Sequence, residues 1–194
     1  MKRISISGPV AAGKTTLLGI LLRELGCRAK AHEELPDQNP FIRLYYENSA
    51  RWSFHSQVTF LSMYLENTVQ ENEDQDFYFY DRCLIENLVI AKYRLLKGDL
   101  NGDEFSVLTR LAHGMEKLMP PIDKYICLRC PPQLLLTHLR ERGRDYEQSL
   151  GLSYCQQMYQ LYEEWYATLQ PGRTLFIQID ENFHIEDILS FLEA

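Results

Sequence analysis

The chain has 194 residues, and at roughly 150 residues per domain a single domain is expected. Apolar residues at 45% and charged residues at 24% are the proportions of a chain that buries a core, which excludes a disordered or low-complexity protein. Lys and Arg number 20 against 27 Asp and Glu, and the net charge of -7 has the wrong sign for wrapping a polynucleotide.

The apolar run LLGILL at 17–22 is broken by Arg23, far short of the about 20 residues a membrane span needs, so no membrane partner is expected. Lys2 and Arg3 are followed by a short ISIS stretch and then Gly8-Pro9, with no apolar leader or cleavage site, so secretion is not indicated. Cys27, Cys83, Cys127, Cys130 and Cys155 are odd in number and scattered, which suits a reducing compartment. A cytoplasmic location is the expectation.

Residues 2–7 alternate around Ile4 and Ile6 and predict a strand; GPVAAG interrupts, and KTTLLGILLREL continues at helical spacing to Gly26. A weaker strand is predicted at 28–32. The loop EELPDQNP leads into a short helix at FIRLYY, and Glu47-Asn48-Ser49 offers caps for a long helix from Ala50 to about Asn72. FYFYD at 77–81 is short and aromatic, a buried strand with Asp81 at its carboxyl end. A helix to Lys97, a loop GDLNGDE, a helix at 104–118 and a strand at 124–130 follow. Pro131-Pro132 opens another helix reaching Arg142-Gly143, then a helix spans 148–169, a strand 174–179, and a short helix closes the chain. Five strands alternating with helices predict an α/β fold, a parallel sheet covered on both faces.

GPVAAGKTT fits G-x-x-x-x-G-K-[ST] through Gly8, Gly13, Lys14 and Thr15, with the strand before it and the helix after it that the chemistry requires. Backbone amides of Pro9-flanking Gly8, Val10, Ala11, Ala12 and Gly13 would form an anion nest at a helix N-terminus, together with Thr16. Lys14 would reach the terminal phosphates and Thr15 would ligate Mg²⁺. A nucleoside triphosphate is the expected ligand. Glu33-Glu34 and Asp81-Arg82 follow predicted strands, where ligands of open α/β sheets collect. One carboxylate there could take a proton from an attacking hydroxyl, Asp81 could support the metal, and Arg82 could offset negative charge.

Taken with EELPDQNPF, LYYENSARWSFHSQ, DRC and RERGRDYE, in that order along nearly the whole chain, GPVAAGKTT makes the sequence resemble the deoxyribonucleoside kinase family, especially its bacterial deoxyadenosine and deoxyguanosine branch. The resemblance implies a P-loop kinase fold with a lid at about 140–147. It also implies ATP or a similar donor with Mg²⁺, phosphorylation of a deoxynucleoside 5′-hydroxyl, and a homodimer. Position by position it implies that Glu34 orients the acceptor hydroxyl, with Glu33 the rival choice. Arg82 would hold that carboxylate and the phosphoryl group, Asp81 would sit near Mg²⁺, Gln57 would read the base, and Tyr46 with Glu147 would receive the sugar 3′-hydroxyl. Arg140, Arg142 and Arg144 would close over the transferring phosphoryl, Arg140 on the donor.

Where the family's purine and cytosine members carry an Arg and an Asp near the glutamine, this chain has Tyr64 and Glu86-Asn87, so Tyr64 and Asn87 join the expected substrate contacts. Cys83 stands where the family usually has Ser, and Ile90 and Ala91 stand where an aromatic would stack on the base. The preference for a purine is therefore a lean. A nucleoside monophosphate kinase would need further basic contacts to its substrate, and a guanine-reading N-K-x-D is absent, which argues against a nucleotide switch. Cys127 and Cys130 form a lone pair along a strand without a partner set for zinc. The stripe from Cys155 to Leu169 reads as core, or as part of a helical dimer face.

Overall fold

Ile4 and Ile6 on one side of β1 (Lys2–Ser7) and Ser5 and Ser7 on the other have no exposed surface, so this strand is covered on both faces. That burial is what a central parallel strand between two helical layers requires. The computed structural model describes residues 1–32, 35–69, 74–179 and 184–194. Among them a five-stranded sheet runs in the order β2-β3-β1-β4-β5, every neighbouring pair parallel. The other strands are β2 (Ala29–His32), β3 (Phe77–Asp81), β4 (Lys124–Arg129) and β5 (Thr174–Gln178). The α/β parallel sheet expected from the alternating pattern is thus present, with strand ends within a residue of the predicted ones.

Helix α1 (Lys14–Leu25) buries Leu17, Leu18, Leu21 and Leu25 against Ile4, Ile6, Phe79, Ile126 and Leu128, a face completed by Leu135, Leu139, Ile188 and Leu192. These last come from α6 (Pro132–Arg142) and α8 (Ile185–Glu193). Burying each such leucine stabilises the fold by about 1.5–3 kcal/mol. On the opposite face α4 (Asn87–Lys97) and α7 (Leu152–Tyr166) supply Val89, Tyr93, Met158, Leu161, Tyr162 and Tyr166 against Cys127. There the polar side of β1 is satisfied locally: the Ser5 and Ser7 hydroxyls lie 2.8 Å apart, and Tyr166 donates to the Ser7 and Leu128 carbonyls at 3.2 and 3.1 Å. The stripe on α7 is therefore core, and Cys127 and Cys130 are buried.

A third cluster joins α3 (Ser49–Val69), α4 and α5 (Gly102–Glu116) through Leu61, Leu84, Ala91, Leu100, Leu108 and Ala112. Asn48 caps the start of α3, its Oδ1 accepting from the Arg51 amide at 3.1 Å, as the turn residues suggested. Between β2 and α3 lies α2 (Ile42–Glu47).

Two boundaries differ from the sequence reading. Helix α5 begins at Gly102, inside the expected loop, because Asn101 and Glu104 exchange side-chain and backbone hydrogen bonds at 2.9 Å in both directions, a capping box. The helix expected over 148–169 is shorter at both ends: α7 starts at Leu152, after an extended Gly151, and stops at Tyr166. Its predecessor α6 stops at Gly143, whose φ of 66° lies in the left-handed region where glycine carries no steric penalty.

Candidate active site

Pairing of Ile6 with Asp81 in the β1–β3 register sets the end of β3 beside the last turn of β1, so the loops leaving both strands share one edge of the sheet. A cavity of about 800 Å³ opens there, within the range of small-molecule sites. Its floor is the loop from Val10 through Thr16 at the start of α1. Gly13 holds a φ of 94° and Ala11 a φ of 65°, and no side chain among the described residues caps the first turn of α1, which leaves its amides to an anion. Lys14 is buried, its ammonium donating to the Gly8 and Pro9 carbonyls at 2.9 Å each.

Thr15 donates through its hydroxyl to Asp81 Oδ2 at 2.7 Å, while Asp81 Oδ1 is buried with no hydrogen-bond partner among the described residues. A hydroxyl and a carboxylate joined in this way, with one carboxylate oxygen left over beside a phosphate nest, fit a hard divalent cation.

At the far wall, Gln57 is only 2% exposed and its Oε1 has no partner among the described residues. A buried amide oxygen without a donor costs about 1–3 kcal/mol, so a ligand that supplies one is favoured. Between the two ends stand Tyr46, Arg82, Arg142, Arg144 and Glu147, all lining the same cavity. Glu147 is 3% exposed and receives the Arg142 guanidinium in a direct hydrogen bond, with Arg144 at 3.5 Å. Burial raises the Tyr46 phenol well above its ordinary value, and the neighbouring Tyr154 and Glu147 push the same way against Arg142, so it stays a neutral hydroxyl.

Arg82 has a φ of 79°, a conformation that a side chain of this kind holds at a cost of about 1–3 kcal/mol. It is fixed by its amide, which donates to the Ile6 carbonyl at 3.0 Å, and by its guanidinium, which donates to Glu86 Oε1 at 3.0 Å and to the Tyr162 hydroxyl at 2.6 Å. Glu86 is fully buried and also accepts from the Gly8 amide at 3.1 Å and from Tyr162 at 2.7 Å. Desolvation raises its pKa, partly offset by Arg82, Lys14, Tyr162 and the Gly8 amide. Burial likewise pushes the adjacent Cys83 thiol up to about 12, so it is not an ionised group at neutral pH.

Most of the residues expected from the sequence therefore meet in one cavity, and several do not. Gly8 and Pro9 serve the loop from beneath, the former through Glu86 and both through Lys14, and do not line the cavity. Arg140, expected on the donor, instead donates to the Gln148 carbonyl at 2.7 Å and the Leu150 carbonyl at 2.9 Å, which ties the end of α6 to the turn before α7. Tyr64 stacks on Tyr80 at 5.5 Å, and Asn87 donates to the Leu84 carbonyl at 3.2 Å. Both line a side pocket of about 30 Å³ that shares Phe60, Asp81 and Arg82 with the main cavity and is large enough only for about one water. Glu33 and Glu34 lie outside the described residues. Glu86 and Tyr162 were not singled out from the sequence as functional. Glu86 follows Arg82 by four residues, a spacing that hints at a pair, whereas nothing local marks Tyr162, which α7 delivers from the other end of the chain.

A profile of the deoxynucleoside kinases matches residues 4–190. The chain belongs to the deoxynucleoside kinase family. It is 29% identical over 181 residues to a deoxyadenosine/deoxycytidine kinase of Bacillus subtilis, covering 92% of this chain and 82% of that one. With a deoxyguanosine kinase of Lactobacillus acidophilus it shares 27% identity over 190 residues, covering 93% and 82%. A solved structure of deoxyadenosine kinase from M. mycoides with bound dCTP superposes with a TM-score of 0.86 over 98% of both chains, at 21% identity. This deoxynucleoside kinase thus has the P-loop kinase fold of the family.

Proposed function

We propose that this kinase transfers the γ-phosphoryl of ATP to the 5′-hydroxyl of a purine deoxynucleoside, deoxyadenosine or deoxyguanosine, with Mg²⁺ held at Thr15 and Asp81. The observation that carries the reading is the span of a single cavity, from the Lys14-Thr15 phosphate nest to the buried, unpartnered amide oxygen of Gln57. An adenine or guanine offers N–H groups to that oxygen, and names of relatives such as deoxyguanosine kinase and deoxyadenosine kinase support the purine lean.

In this reading Glu34, with Glu33 the rival, draws the proton from the 5′-hydroxyl. Tyr46 and Glu147 receive the 3′-hydroxyl, and their enclosed position disfavours a bulkier ribose. Arg82, Arg142 and Arg144 stabilise the charge on the transferring phosphoryl, which passes in line between two oxygens held close together. The cation, when bound, neutralises phosphate charge; the chain's part is to orient it through one hydroxyl and one carboxylate. The enzyme works as a homodimer in the cytoplasm, a setting that suits five free cysteines. Exposed Leu96, Val107, Leu111 and Leu118 supply an apolar surface for a second copy.

Initial rates with ATP and Mg²⁺ for each common deoxynucleoside, its ribose counterpart and its monophosphate test this reading. The expected order is purine deoxynucleosides first, ribonucleosides well behind, monophosphates inert. Preferred phosphorylation of a monophosphate would replace the reading with a nucleotide kinase.

A further inference from the structure

Glu86 gathers, on one fully buried oxygen, hydrogen bonds from segments far apart in the chain: the Gly8 amide where β1 enters the phosphate loop, the Arg82 guanidinium beyond β3, and the Tyr162 hydroxyl from α7. Tyr162 closes the triangle by accepting from Arg82 while donating to Glu86. None of the expected roles in phosphoryl transfer uses Glu86 or Tyr162, and neither lines the main cavity. A carboxylate is a costly group to bury, and an apolar residue would fill the volume more cheaply if packing were its whole purpose.

We propose that Glu86 and Tyr162 are positioning residues that aim the Arg82 guanidinium and lock it in register with the phosphate loop. The geometry supports an aiming role. Arg82 sits on a left-handed backbone, which points its side chain away from the course of β3, and a long guanidinium so placed has several rotamers to choose from. Holding its Nη1 between a carboxylate oxygen and a phenol oxygen removes that choice before substrate arrives. The same carboxylate oxygen anchors Gly8, so a shift of Arg82 and a shift of the loop entrance are mechanically coupled. Burial keeps the Tyr162 phenol well above its ordinary pKa, and it therefore remains a donor to Glu86 throughout the working range. Supporting groups of this kind hold a reacting side chain to the narrow tolerance that transfer requires.

The inference rests on the proposed role of Arg82 in stabilising the phosphoryl group, and a double-mutant cycle separates the two. Tyr162→Phe loses a single oxygen and should lower kcat about 10-fold, with the KM for ATP within about 2-fold and the melting temperature lower by several degrees while the enzyme stays folded at the assay temperature. Glu86→Gln should lower kcat by at least as much. In an Arg82→Lys background, itself strongly impaired, Tyr162→Phe should cost less than about 2-fold, because the group it aims is already gone. An equal fold-loss in both backgrounds would mean a general structural effect and overturn the inference. So would an unimpaired Tyr162→Phe enzyme beside an impaired Arg82→Lys enzyme, leaving the role of Arg82 intact. Normal turnover by Arg82→Lys would overturn both readings together. Should Glu86→Gln fail to fold, the Tyr162→Phe cycle decides alone.

Discussion

Thr15 and Asp81, 66 residues apart in sequence, meet through a 2.7 Å hydrogen bond that joins the first turn of α1 to the end of β3. The two residues proposed to hold the cation are thus in contact before any cation is considered, and the second Asp81 oxygen remains buried and unpartnered among the described residues. Thr15→Ala should raise the Mg²⁺ concentration for half-maximal rate by about 10-fold or more, whereas Thr15→Ser should stay close to the parent. Rates measured across a Mg²⁺ titration at fixed ATP check this; an unchanged half-saturation point for Thr15→Ala removes the residue from the cation site.

The unpartnered amide oxygen of Gln57 makes a separate expectation. Gln57→Leu removes the polar group while roughly keeping volume, and should lower kcat/KM for the preferred deoxynucleoside by about 10-fold or more while flattening the ranking of bases. The KM for ATP should move by less than about 2-fold. Comparable losses for every base and for ATP would instead indicate a disturbed fold.

Arginines around Gly143 divide into two kinds, although the sequence presents them alike. Arg144 lines the cavity and pairs with Glu147, so Arg144→Ala should reduce kcat by roughly 10²-fold with the nucleoside KM less affected. Arg140 holds the carbonyls of Gln148 and Leu150, so Arg140→Ala should lower the melting temperature by a few degrees and leave turnover within about 3-fold. Equal kinetic losses for the two variants would contradict the division.

Burial raises the pKa of Glu86, against the pull of the Arg82 and Lys14 cations and the Tyr162 and Gly8 hydrogen bonds that face it. A carboxyl with a raised folded value binds its proton more tightly in the native state than in the unfolded chain. Its contribution to stability is therefore complete below the ordinary value and declines as pH rises through the raised one. Glu86→Gln, which cannot ionise, should gain in melting temperature relative to the parent as pH goes from about 4 to about 7. A difference that stays constant over that range would contradict the burial argument.

The glycine loop and its flanking strand and helix are legible because a single short stretch carries the whole pattern: glycines for the turn, and the Lys14 and Thr15 proposed for the phosphates and cation. Strands β1 and β3 are equally plain, since β1 alternates around Ile4 and Ile6 up to Gly8 and β3 is a short aromatic run ending at Asp81. Gln57 enters the sequence reading through the family resemblance alone, and its burial with an unpartnered oxygen is what the fold adds. Arg140 and Arg144 could not be told apart, because their fates depend on Gly143 turning the chain and on which carbonyls of 148–150 come within reach. The Glu86 and Tyr162 network was hidden for a related reason. It exists only when the β3–β4 crossover and α7 close over the sheet, and no sequence period records a contact of that range.

A dinucleoside polyphosphate, in which a deoxyadenosine is joined through its 5′-oxygen to the phosphate chain of an adenosine, tests the central claim that one cavity holds acceptor alcohol and triphosphate tail together. Inhibition should be competitive against ATP and also competitive against the deoxynucleoside, with affinity exceeding that of either substrate. Competition with ATP alone, and unaltered deoxynucleoside binding in its presence, would put the two substrates in separate sites and contradict the account.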